Sequence, residues 1–127
     1  DHPAHAATVS IVKAEVKRGS ILLVPPLVID EFLHVATDPK RFSPPLTMAE
    51  AVDWIEQFLS NSAVKVPDTN AASSNQTLLW IRQFNLGRKR ILDTHLAAIL
   101  HSGGARRLMT SNPADFTVFG VFEIVSP

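Results

Sequence analysis

The amino-acid sequence predicts an α/β domain of three layers, with a central parallel sheet lying between helices. Two observations predict it. Stretches with apolar residues at helical spacing alternate along the chain with short continuous apolar runs, and Gly, Pro or a capping residue punctuates most of the boundaries. Such runs suit strands buried on both faces, the condition of a sheet covered by crossover helices, and right-handed βαβ connections then make the strands parallel. A length of 127 residues, 46% hydrophobic and 19% charged, fits one globular domain spanning residues 1–127 and excludes disorder and collagen-like structure.

The elements follow in order. His2 to Arg18 repeats apolar residues at helical spacing, and Gly19 supplies a stop. Ile21 to Val24 reads as a doubly buried strand, and Pro25-Pro26 opens a helix over Leu27 to Thr37, because a first-turn proline removes only an amide that has no partner. The three prolines of Asp38 to Pro45 predict an exposed loop. Thr47-Met48-Ala49-Glu50 matches the reciprocal capping box and starts a helix to about Leu59. Val64 to Val66 is the next strand, and Asp68 or Thr69 caps a helix to about Leu86 that turns Leu78, Leu79, Ile81 and Phe84 inward and stops at Gly87. Ile91 to His101 is helical, with Leu92, Leu96, Ile99 and Leu100 on one stripe and Gly103-Gly104 after it. Leu108 to Thr110 and Phe119 to Val125 complete the strands.

Bulk properties narrow the function classes. No apolar run is long enough to cross a bilayer, and the absence of cysteine removes disulfides and Cys-based zinc sites, which fits a soluble cytoplasmic protein. The chain begins at Asp1 without a Met, so a preceding segment is expected. Twelve basic and twelve acidic residues cancel, which argues against strong non-specific nucleic-acid binding by the molecule as a whole. The distribution is uneven: residues 1–63 hold five bases and eight acids, and residues 64–127 hold seven and four. Arg88-Lys89-Arg90 is the best phosphate-contacting run, with Arg106-Arg107 second.

In an open parallel sheet the ligand site lies beyond the carboxyl ends of the strands. Asp30 and Glu31, Asp93, and the segment Thr110 to Asp115 occupy such positions. Carboxylates converging there repel one another unless a divalent cation sits between them, which points to Mg²⁺ or Mn²⁺. Each has a plainer role available: Asp93 favours a helix N-terminus, and Asp115 caps the turn at Pro113-Ala114. The histidines form no ligand pattern, since His2 and His5 sit near the chain start and His95 and His101 fall on different helix faces. No Gly-rich phosphate loop and no nucleophile elbow is present.

Pro25-Pro26-Leu27-Val28-Ile29-Asp30-Glu31-Phe32, running on to Thr37-Asp38-Pro39 and Pro44-Pro45-Leu46, resembles the second acidic motif of PIN-domain proteins, particularly VapC-like ribonuclease toxins. Asp93-Thr94-His95-Leu96-Ala97-Ala98 is similar to the motif carrying that family's third acid, and Thr110-Ser111-Asn112-Pro113-Ala114-Asp115-Phe116 to its last motif. The similarity spans residues 1 to 125 with the motifs in the family's order. It implies a three-layer α/β/α PIN-like domain that hydrolyses RNA phosphodiester bonds with Mg²⁺ or Mn²⁺. Glu31, Asp93 and Asp115 would be catalytic and hold metal; Thr110, Asn112, Arg88 and Arg90 would contact substrate. A cognate antitoxin and a homodimer are the implied partners, with no membrane association. PIN domains open with a strand ending in Asp-x-Asn, and the chain starts after that point, so the domain is expected to be N-terminally incomplete; Asp1 does not fill the role.

Two other readings share these features. A receiver-type phosphoacceptor also has an acidic pair, a later Asp and a Thr, but needs a downstream lysine, and residues 111–127 contain neither Lys nor Arg. A catalytically impaired PIN-like module that binds RNA or protein is the other, favoured by the missing first acid.

Overall fold

Pro3–Lys17 forms the first helix, α1, in a computed structural model that describes residues 3–127. Asp1, the expected helix start at His2, and the side chain of His5 lie outside the described residues. Gly19, at φ +82°, ends α1: its amide donates to the Val16 carbonyl at 3.0 Å and the Ser20 amide to that of Glu15 at 3.0 Å, satisfying carbonyls the helix leaves open. The same device closes two later helices, Ala71–Gln83 (α4) and Ile91–Ser102 (α5). Gly104, at φ +89°, ends α5 within the expected glycine pair. The sequence puts the stop of α4 at Gly87, but Asn85 takes it at φ +51°, with the Leu86 amide on the Ile81 carbonyl at 3.0 Å. Asparagine is among the few residues besides glycine that visit this conformation readily.

The chain folds as two compact units, one of residues up to Ser20 with Asp68–Pro127, the other Ile21–Pro67. In the second, Leu22–Leu23 (β1) precedes helices Pro26–Ala36 (α2) and Met48–Leu59 (α3), and Val64–Lys65 (β2) closes it. β1 and β2 pair in parallel, Leu22 opposite Val64 and Leu23 opposite Lys65. Pro25, in extended conformation, caps α2 with Pro26 at its first turn. The Thr47 hydroxyl accepts from the Glu50 amide at 3.1 Å while the Glu50 carboxylate accepts from the Thr47 amide at 2.9 Å, the expected capping box. Ala36, Ala51, Ile55 and Val64 are buried. Double-sided burial of Ile21 to Val24 does not hold: Ile21 is 60% exposed and its neighbours to Val24 are half-buried, because β1 has a partner on only one side among the described residues.

The first unit pairs Arg107–Met109 (β3) with Glu123–Val125 (β4), also in parallel, and Ala114–Thr117 (α6) lies between them in sequence. Parallel pairing among helices is the α/β pattern expected; the described residues form two two-stranded sheets in place of one central sheet. The second of these uses only the end of the predicted Phe119–Val125 strand, since Phe119 packs on Trp80 at 4.6 Å and Gly120 turns at φ +67°.

The core of this unit reverses one expectation. Leu78 and Leu79 of α4 are 67% and 57% exposed, and Ser73, Thr77 and Trp80 are buried in their place. α4 packs on α5, which buries Thr94, Ala97 and Ala98 and leaves Leu92 exposed outside its predicted stripe. Small side chains permit close approach of the helix axes, and the buried hydroxyls return to their own helices: Ser73 to the Asn70 carbonyl at 2.9 Å, Thr77 to that of Ser73 at 2.7 Å, Thr94 to that of Arg90 at 2.6 Å. Asn70, rather than Asp68 or Thr69, caps α4 by exchanging bonds with Ser73. No described helix is long and apolar enough to cross a membrane.

Candidate functional site

Asp93 stands in the first turn of α5, half-buried, where open amides favour a negative charge. A 3-10 turn, Arg88–Arg90, leads into that helix. Arg88 and Lys89 are exposed there, whereas Arg90 is half-buried and its Nη2 donates to the backbone carbonyl of Asp115. Its Nε is buried with no partner among the described residues. Arg90 therefore ties the entrance of α5 to α6, the two elements that carry Asp93 and Asp115.

Asp115 is half-buried near the start of α6. A short run of bonds prepares its position at the carboxyl end of β3. The Thr110 amide donates to the Val125 carbonyl at 3.0 Å, extending the sheet by one step, and the Thr110 hydroxyl accepts from the Asn112 amide at 3.0 Å. The Asn112 carbonyl then accepts from the Asp115 amide at 3.1 Å. Thr110 and Asn112 thus shape the turn through the first hydroxyl and the second residue's backbone, leaving the exposed Asn112 amide side chain free of that task.

Glu31 belongs to the other unit, exposed on α2 just before Phe32. Asp93, Asp115, Thr110, Asn112, Arg88 and Arg90 all fall in the first unit. Among the described residues no three His, Asp or Glu side chains gather as a metal-holding group. The donor types in the candidate set are carboxylate oxygens throughout, a hard set that suits Mg²⁺ or Mn²⁺ rather than soft metals.

Two features escaped the sequence. The inward turn of Arg90 is one, since nothing in a run of three bases distinguishes the member that is held by the protein. His95 is the other: its Nε2 is buried with no hydrogen-bond partner among the described residues. The Glu15 and Glu50 carboxyls, which their hydrogen bonds hold below the ordinary value, are not among the candidate residues. No protein-family model matches the chain, and a comparison with curated proteins finds no match.

Proposed function

We propose that the protein is a metal-dependent endoribonuclease with a three-layer, PIN-like α/β/α domain, acting as the toxin of a cytoplasmic toxin–antitoxin pair and as a homodimer. The observation that carries this reading is the bond from Arg90 to the Asp115 carbonyl, which couples the segments bearing two of the three acids named by motif. The order of the motifs around Glu31, Asp93 and Asp115 supports it further.

Glu31, Asp93 and Asp115 would hold Mg²⁺ or Mn²⁺, which when bound supplies an activated water and charge stabilisation for phosphodiester cleavage. Arg90 is a positioning residue, fixing α6 against the start of α5. Thr110 sets the turn from which Asn112 projects toward substrate. Arg88, exposed just before α5, pairs with RNA phosphates, and Arg90, whose bond to a neutral carbonyl leaves its charge intact, adds to the same field.

The test is cleavage of a panel of single-stranded RNAs by the chain with Mn²⁺, beside Glu31→Gln and Asp93→Asn. Each substitution is expected to reduce cleavage on the order of 100-fold or more while RNA binding persists. Variants that cut as well as the parent would remove these acids from the site. A parent that binds RNA without cutting it would establish the impaired binding module instead.

A further inference from the structure

The outward face of α4 carries apolar side chains that the core does not use. By helical spacing Asn75, Leu78, Leu79, Arg82 and Gln83 share one side of the helix, opposite the buried Ser73, Thr77 and Trp80. All five are exposed. Together they line a cavity of about 490 Å³ that opens to solvent. That volume suits a single small ligand or one residue of a polymer.

Three kinds of group meet in the cavity. Leu78 and Leu79 give it an apolar floor, and Asn75 and Gln83 place side-chain amides toward its two ends along the helix. Arg82 adds a cation that makes no ion pair among the described residues, unlike Arg18, Arg41 and Arg107. Residues 69–92 also include Arg88, Lys89 and Arg90 but no acid, so this stretch of chain attracts anions. A second copy of the same face is disfavoured, because a two-fold axis sets Arg82 against its own equivalent. A nucleotide matches every group: an apolar base face for the leucines, a phosphate for Arg82 and a polar base edge for the amides. A carboxamide presents a donor beside an acceptor, the complement of adenine N6 and N7.

We propose that this cavity receives one adenine nucleotide of a bound RNA strand, its base over Leu78 and Leu79, its edge read by Asn75 or Gln83 and its phosphate paired with Arg82. The proposal rests on the reading of the protein as one that handles RNA. It involves none of Glu31, Asp93 and Asp115 and requires no cleavage.

The experiment titrates the full chain with fluorescein-labelled decaadenylate and decauridylate in EDTA, where binding is read by anisotropy without metal-dependent cleavage. Decaadenylate is expected to bind about tenfold more tightly than decauridylate. It should also shift the side-chain amide resonances of Asn75 and Gln83 and the methyl resonances of Leu78 and Leu79. Asn75→Ala with Gln83→Ala abolishes the preference and leaves decauridylate binding unchanged. Arg82→Ala weakens both oligonucleotides alike and lowers the slope of log affinity against log salt by about one. All three positions are exposed, and circular dichroism checks that the variants remain folded. Equal affinity for the two oligonucleotides, or a preference that survives in the double variant, overturns the cavity as an adenine site while RNA binding stands. Failure of both oligonucleotides to bind the parent removes the RNA reading as well. An acidic leucine-rich peptide that shifts the same resonances when decaadenylate does not would assign the cavity to a protein and overturn the proposal.

Discussion

Thr47 and Glu50 show how far single residues act on their own neighbourhood. The Glu50 carboxyl is held below its ordinary value of 4.5, first by the Thr47 backbone amide and then by the Thr47 side chain. A depressed folded value means that the ionised carboxylate stabilises the fold above about pH 4.5 and that this contribution disappears as pH falls through the lowered value. Glu50→Gln is therefore expected to be less stable than the parent near neutrality and to converge with it in acid, read from urea midpoints at each pH. Thr47→Ala removes the cap on the Glu50 amide and is expected to cost about 0.5–2 kcal/mol. Arg90→Ala tests the other local tie: loss of the Asp115 carbonyl contact should lower cleavage through misplacement, and an unchanged cleavage rate would reduce Arg90 to surface charge.

The pairing of α4 with α5 sets the inward face of both helices. Trp80→Ala empties the centre of the Phe84, Phe119 and His101 cluster and is expected to cost about 3–5 kcal/mol. Leu79→Ala, on the exposed face, should stay within about 0.5 kcal/mol, the reverse of what the predicted inward stripe requires. Ala97→Leu overfills a position with no exposed surface and should cost about 1–3 kcal/mol. Denaturant unfolding of the three variants side by side ranks them. The apolar stripe of α4 misled at Leu78 and Leu79, while Phe84 does pack against Phe119: burial follows the side that carries Ser73, Thr77 and Trp80. Serine and threonine can be buried there because their hydroxyls bond back to the helix backbone.

Charge is divided between the two units of the molecule. Ile21–Pro67 holds six acids and three bases, and the other unit six and nine. Within the second of these, Arg107 joins Glu15 of α1 to Glu123 of β4, the latter at 3.5 Å. The Ser20 hydroxyl and Arg107 hold the Glu15 carboxyl below its ordinary range, so this tie also strengthens above that range and is lost in acid. RNA binding, if it follows the basic unit, weakens with salt. Arg88→Ala and Lys89→Ala should each reduce the slope of log affinity against log salt by about one, and a slope unchanged in both would move the RNA path elsewhere.

The sequence by itself determined the helix starts and stops that depend on near neighbours, from Pro25-Pro26 and the Thr47–Glu50 box to Gly19 and Gly104. Those features require only groups within about five residues of one another, so local pattern suffices. Tertiary structure decided which face of α4 turns inward, that the parallel strands pair two by two, and that Arg90 is tied to the Asp115 backbone. Each depends on a partner supplied from elsewhere in the chain, and the free energy of that contact outweighs the preference of the isolated segment.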